Sequence, residues 1–215
     1  MSDERLRVGI AGCGYQGGRL AEAIGLGDAF AVVACADPDT AAAAKLAATV
    51  GEATTHASVE EMLQSADLDV VMVATPHHLL ADTSLKAIWA GRHVLVEKPI
   101  AMSQREARAV ENAVAEAGVC YLAGYSFRNL PAWTAVHDLL AAGAVGDIVS
   151  VTGYFGLEPL STGWMADPAC GGGVFLVAAA EALVRSGADP REVVDQVTGI
   201  AEDAGAVAAA VEAVR

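Results

Sequence analysis

Three glycines at fixed spacing and one aspartate carry the clearest chemistry in this chain. Gly12, Gly14 and Gly17 follow an apolar run from Leu6 to Ile10, and Asp37 closes the next apolar run. In G-x-G-x-x-G spacing the first glycine permits a tight turn after a strand. The second lets the backbone approach a pyrophosphate. The third lets the following helix pack closely on the sheet, with its N-terminus facing the phosphates. Asp37 would accept hydrogen bonds from ribose hydroxyls and repel a 2′-phosphate. Pro38 and Asp39 come next, with no Arg or Ser beside them to hold that phosphate. NAD is therefore expected in preference to NADP. A glycine-rich turn without a ligand is the plain alternative. The preceding strand, the following helix and the matched acid weigh against it. Tyr15 and Gln16, inside the turn, join the expected cofactor-binding set.

Thr75 and Pro76 end a further apolar run, Val70 to Ala74. Ligands of parallel sheets lie beyond the C-terminal strand ends, so this loop should border the cofactor. His77 and His78 stand at its mouth. His78 is grouped with the cofactor-binding residues, either capping the next helix or touching the ligand, while His77 reads as solvent-facing. Cys13, Cys35, Cys120 and Cys170 are scattered with no metal-type spacing, so no metal site is expected and reduced, mostly buried thiols are.

The elements that must position these residues alternate. Strands are predicted over 6–10, 31–36, 70–74, 93–96 and 119–123. Helices are predicted over 16–24, 40–50, 59–64, 78–90 and 104–117. Ser58 and Ser103 read as helix caps, and Glu106 completes a capping box with Ser103. Gly91 and Gly118 read as helix stops. This rhythm predicts a Rossmann-type, doubly wound α/β parallel sheet with helices on both faces, residues 1–124. Beyond Gly124 come a helix over 131–142, a strand over 148–154, a loop, a helix after the triple glycine 171–173 and a strand over 193–197. They suggest a shortened α+β substrate and oligomerisation domain, residues 125–215.

Composition narrows the partners. Asp and Glu number 27 against 13 Lys and Arg, a formal charge of −14, so nucleic acid is not an expected ligand. No leader or apolar membrane span is read, so a cytoplasmic protein is expected.

Glu97-Lys98-Pro99, following His93-Val94-Leu95-Val96, completes a wider pattern. With the glycine turn go Ala74-Thr75-Pro76, Gly91-Arg92-His93-Val94, Gly124-Tyr125-Ser126-Phe127-Arg128, Gly143-Ala144-Val145-Gly146, Trp164 and Gly171-Gly172-Gly173. On these motifs the chain resembles the glucose-fructose oxidoreductase, inositol dehydrogenase and rhizopine-catabolism (Gfo/Idh/MocA) family. The resemblance implies that Lys98 lies beside the nicotinamide and the substrate, where its ammonium could stabilise negative charge developing on oxygen. It implies a Lys98-Pro99 bond that is often cis, a Glu97 near the nicotinamide, and an Arg128 that holds either substrate or a core carboxylate.

The pattern is broken where the family supplies an aspartate and, four residues on, a histidine. Val177 and Glu181 stand there. Glu181 could replace the acid/base, or could pair with Arg185 on a solvent-facing helix. Tyr154 is a further catalytic candidate. His137, on a helix with Trp133, reads as structural. Family members are also longer, so an unfinished sheet edge is expected to be covered in a homo-oligomer. Three functions stay open. One is hydride transfer involving a small hydroxylated or carbonyl substrate of sugar or cyclitol type. Another is non-redox isomerase, lyase or cyclase chemistry. The third is a catalytically silent NAD-binding partner or sensor.

Overall fold

The computed structural model describes residues 5–51 and 53–147. The element order is β1 (Leu6–Ala11), α1 (Tyr15–Ile24), β2 (Phe30–Ala36), α2 (Thr40–Val50), β3 (Thr54–His56), α3 (Val59–Ser65), β4 (Val70–Val73), α4 (His77–Trp89), β5 (His93–Val96), α5 (Gln104–Ala117), β6 (Tyr121–Ala123) and α6 (Pro131–Ala141). The strands form one parallel sheet in the order β3-β2-β1-β4-β5-β6. The strand order reverses direction between β1 and β4, and the crevice above that point is where doubly wound sheets bind ligands.

Side-chain alternation divides the core between the two faces. On one face Val71, Val73, Val94 and Val96 meet Met62 of α3, Leu80 and Ile88 of α4, and Val110 of α5. On the other, Val8, Ile10 and Cys35 meet Ala21 of α1 and Ala43, Leu46 and Ala47 of α2. Strands buried on both faces carry near-continuous apolar runs, which β4 (Val-Val-Met-Val) illustrates. At the N-terminal edge Arg7 binds Asp69 bidentately, Nε and Nη2 donating at 3.0 and 2.8 Å, and also binds Asp67. This clamp fastens β1 to the start of β4.

Helix starts follow their caps. Ser58 Oγ accepts from Glu61 N–H and Ser103 Oγ from Glu106 N–H, each at 3.2 Å. The glutamates reach back to the N–H groups of Ala57 and Met102, one residue before the cap, at 3.0 and 2.9 Å. Gly118 ends α5 with φ +65, the left-handed cap that glycine takes without strain.

Several elements differ from the sequence reading. β3 was not anticipated, because Thr54-Thr55-His56 has no apolar alternation and pairs only at the sheet edge. Strand β6 begins at Tyr121, since Val119 and Cys120 serve as its approach. Helix α4 starts at His77, so His77 is helical and half-buried rather than a loop residue facing solvent. Ser126–Asn129 forms a 3-10 turn. Cys120 is exposed, unlike Cys13 and Cys35. His137 is also exposed, its Nδ1 3.3 Å from Asp138 Oδ1. Lys98-Pro99 is cis. The expected elements after residue 147, with Tyr154, Trp164, Cys170, the triple glycine, Val177 and Glu181, lie outside the described residues.

Candidate dinucleotide site

The glycine turn is shaped by close backbone contact. Gly12 has φ +95, and a Cβ there would lie 2.6 Å from the Ala74 carbonyl. A Cβ on Gly17 would lie 2.0 Å from the Gly12 carbonyl oxygen, so the start of α1 rests directly on the turn. Gly14 is different, since no atom comes within 4 Å of its Cβ position. It is the N-cap of α1 and brings no side-chain cap. Open space thus fronts a helix N-terminus whose first-turn N–H groups have no capping side chain, the arrangement that receives an anion.

Asp37 follows β2 and is bound from two sides. Its Oδ2 accepts from Cys13 N–H at 2.7 Å and its Oδ1 from Asp39 N–H at 2.9 Å. One bond ties it to the glycine turn and the other closes an Asx-type turn into α2. Asp39 caps that helix, accepting from Ala41 and Ala42 at 3.0 and 3.3 Å. Each Asp37 oxygen retains acceptor capacity for a hydroxyl. Beneath it Cys13 Sγ contacts the Ala36 carbonyl at 3.5 Å. A hydrogen bond with Cys35, reinforced by burial, pushes the Cys13 thiol well above the usual range, which marks it as inert packing.

Across the crevice lies the loop after β5. Glu97 N–H donates to the Val73 carbonyl at 2.9 Å, placing this residue at the end of the sheet. Gln16 Nε2 donates to Glu97 Oε1 at 2.6 Å, and Lys98 N–H to Glu97 Oε2 at 3.3 Å. Gly124 lies beside this loop, where a Cβ would come 3.1 Å from the Val96 carbonyl oxygen and reach ordinary contact with Glu97 Oε1 at 3.6 Å. Lys98 itself is exposed. Thr75, after β4, has a buried Oγ1 with no hydrogen-bond partner.

The structure therefore brings Gly12, Gly14, Gln16, Gly17, Asp37, Thr75, Glu97 and Lys98 to one end of the sheet. Pro76 caps α4 beside them, and His78 is exposed in the first turn of that helix. Tyr15 is 80% exposed, its hydroxyl taking only a long 3.5 Å contact from Arg19. Arg128 is exposed on the 3-10 turn. A groove of about 1250 Å³ runs between α1 and α2, but neither Asp37, Thr75, Glu97 nor Lys98 lines it. Sequence reasoning missed the second role of Asp37 as a backbone acceptor and the capping role of Asp39. The Asp-Pro-Asp string before an alanine-rich run is the signal that could have shown both.

The residues present fit a dinucleotide. The open space before Gly14, the Gly12 and Gly17 contacts that admit no side chain, and the unpartnered Thr75 hydroxyl form a cradle at the switch point. Among the described residues no group of three His, Cys, Asp or Glu could hold a metal ion, and no helix is long and apolar enough to cross a membrane.

A family model described as an oxidoreductase family with an NAD-binding Rossmann fold (GFO_IDH_MocA) matches residues 6–125. The 1,5-anhydro-D-fructose reductase of Ensifer adhaerens is 39% identical over 122 residues, covering 55% of this chain and 37% of its own length. The structure of GenD2 from gentamicin A biosynthesis, in complex with NAD, superposes with TM-score 0.62 at 33% identity, covering 66% of this chain and 40% of that one. The WlbA dehydrogenase of Bordetella pertussis, in complex with NADH and UDP-GlcNAcA, gives TM-score 0.64 at 28% identity, covering 66% and 44%. The chain spans about two fifths of the length of the curated relatives it matches.

Proposed function

This chain belongs to the Gfo/Idh/MocA family of oxidoreductases with an NAD-binding Rossmann fold, and from that premise we propose that it is an NAD-dependent oxidoreductase of small hydroxylated or carbonyl compounds. The observation that carries the reading is the juxtaposition at the switch point. Asp37 is fixed against the glycine turn at 2.7 Å, and the loop bearing Lys98 is drawn to the first turn of α1 by the 2.6 Å Gln16–Glu97 bond. The NAD-bound and NADH-bound relatives support the choice of cofactor class, and the reductase relative supports a sugar-type substrate.

A bound nicotinamide would supply the hydride donor or acceptor. Gly14 and the first turn of α1 would hold the pyrophosphate, and Tyr15, Pro76, His78 and Arg128 would border the same ligand. Asp37 would accept the ribose hydroxyls and, as a carboxylate, repel a 2′-phosphate, favouring NAD. Thr75 Oγ1 has an open hydrogen-bonding capacity for the ligand. Lys98 would donate a hydrogen bond to the substrate oxygen and stabilise charge developing there. Glu181 would move the proton, with Tyr154 as the alternative group. Residues 1–124 would bind the cofactor, and 125–215 would contribute to the substrate side and to a homo-oligomeric interface.

The test is titration with NADH and NADPH, followed by a panel of sugars and cyclitols monitored through absorbance of the reduced cofactor. Tighter binding of NADH and substrate-dependent turnover are expected. Lys98→Ala should lower turnover by about 10²–10³-fold with little change in melting temperature. Glu181→Gln should depress turnover with little change in NADH affinity, and unchanged turnover would remove Glu181 from the mechanism.

The Val177/Glu181 replacement favours a second reading, non-redox chemistry on the same scaffold. It predicts substrate conversion without net change in cofactor absorbance. Stabilisation by NAD with no conversion of any compound would instead identify a silent binder.

A further inference from the structure

We propose that Gln16 is a positioning residue, clasping the Glu97-Lys98-Pro99 loop to the phosphate-binding helix so that the loop is set for the nicotinamide end of the ligand. The proposal rests on the dinucleotide reading above and assigns Gln16 a task other than touching the phosphates. Gln16 stands in the first turn of α1, two residues past the Gly14 cap. Its amide donates to Glu97 Oε1 at 2.6 Å, across 81 residues of sequence. The other carboxylate oxygen of Glu97 accepts the Lys98 N–H at 3.3 Å. The backbone of Glu97 is already tied to β4 through the Val73 carbonyl. Its side chain is therefore the adjustable part, and Gln16 fixes it.

The clasp is selective in its chemistry. An amide at position 16 presents a donor to Glu97 without adding charge beside the helix N-terminus, where an anionic pyrophosphate would lie. A carboxylate there would repel Glu97 and the phosphates together. An alanine would leave Glu97 free to rotate and Lys98 without its side-chain anchor. With alanine the adenosine half of the site, held by Asp37 and the glycine turn, keeps its own contacts.

Comparing NADH with ADP-ribose, which lacks the nicotinamide, reads this division on the intact chain. Gln16→Ala should weaken NADH binding about tenfold, the worth of one hydrogen bond to a charged group. ADP-ribose should lose less than threefold. Gln16→Glu should weaken NADH further. The exchange variant Gln16→Glu with Glu97→Gln rebuilds the bond with donor and acceptor swapped, and should recover NADH affinity relative to Gln16→Glu alone. Equal losses for NADH and ADP-ribose in Gln16→Ala would overturn the clasp and make Gln16 a phosphate contact or a structural residue. No recovery in the exchange variant would overturn it as well. If the unaltered chain bound neither compound, the dinucleotide reading would fail and the clasp with it. ADP-ribose binding by the unaltered chain keeps that reading intact whatever the variants show.

Discussion

The two loops that face each other across the switch point are built by different forces. The turn from Gly12 to Gly17 is set by exclusion, because backbone atoms come so close that no side chain fits at two of its positions. The loop from Glu97 to Pro99 is set by attraction, through one carboxylate shared between Gln16 and the Lys98 N–H. A steric site tolerates no substitution and moves little. A polar site tolerates substitution and loses aim. For the proposed chemistry this division is apt, since an anchoring site gains from rigidity and a reacting site must admit substrate.

The largest effect should come from testing exclusion directly. Gly17→Ala places a Cβ 2.0 Å from the Gly12 oxygen, and neither backbone can yield without moving α1. A stability loss on the order of 3 kcal/mol is expected in chemical denaturation, together with loss of NADH binding. If Gly17→Ala melts like the unaltered protein, the turn is not held by exclusion. Next is Asp37→Ala, which takes the acceptor from the half-buried Cys13 N–H and should cost about 1–3 kcal/mol. Asp37→Asn keeps an acceptor and should cost less, while narrowing the difference between NADH and NADPH affinity.

A smaller effect belongs to the opposite end of the central strands. The Arg7 guanidinium beside Asp69 holds that carboxyl down to about 2, from an ordinary value of 3.8. The depressed group binds its proton less readily when folded. Its contribution is therefore present above 3.8 and lost as pH falls toward 2. Arg7→Ala should flatten the melting-temperature profile in that window and leave NADH affinity as it was. The smallest effect has the opposite sign. Gly18 adjoins Gly17 in the same helix, yet its Cβ position meets nothing within 4 Å. Gly18→Ala should stabilise the protein by about 0.5–1 kcal/mol. Opposite outcomes at adjacent glycines would give the sharpest confirmation that contact, and not helix propensity, governs position 17.

The same division explains what the sequence disclosed. Exclusion is local and demands glycine, so Gly12 and Gly17, with Gly14 at fixed spacing between them, announced their turn, and the apolar strands beside them announced the sheet. Ser58, Ser103 and Gly118 marked helix ends for similarly local reasons. Polar closure leaves no such trace. Gln16 and Glu97 are each ordinary in composition, and only the fold brings them together across 81 residues. Strand β3 was hidden because Thr54, Thr55 and His56 pair through polar bonds, with nothing apolar to bury on one face. Asp37 was legible as an acid at the right distance, while its grip on Cys13 N–H depended on how the two strand ends align.

The clamp at Arg7 has a consequence for how the chain finds its fold. Neighbours within each half of the sheet are joined by short excursions of chain, as with Cys13 and Asp37, 24 residues apart. The strands of the two halves pair only where β1 meets β4, and there Arg7 and Asp69 are 62 residues apart. Closing the longer excursion costs about 0.8 kcal/mol more in chain entropy. A bidentate ion pair stands at that seam, and such a pair at a partly exposed site contributes roughly 0.2–1 kcal/mol. The charges at the foot of the sheet thus offset a cost of similar size at the longest-range strand pairing in the sheet, far from the end where a ligand would bind.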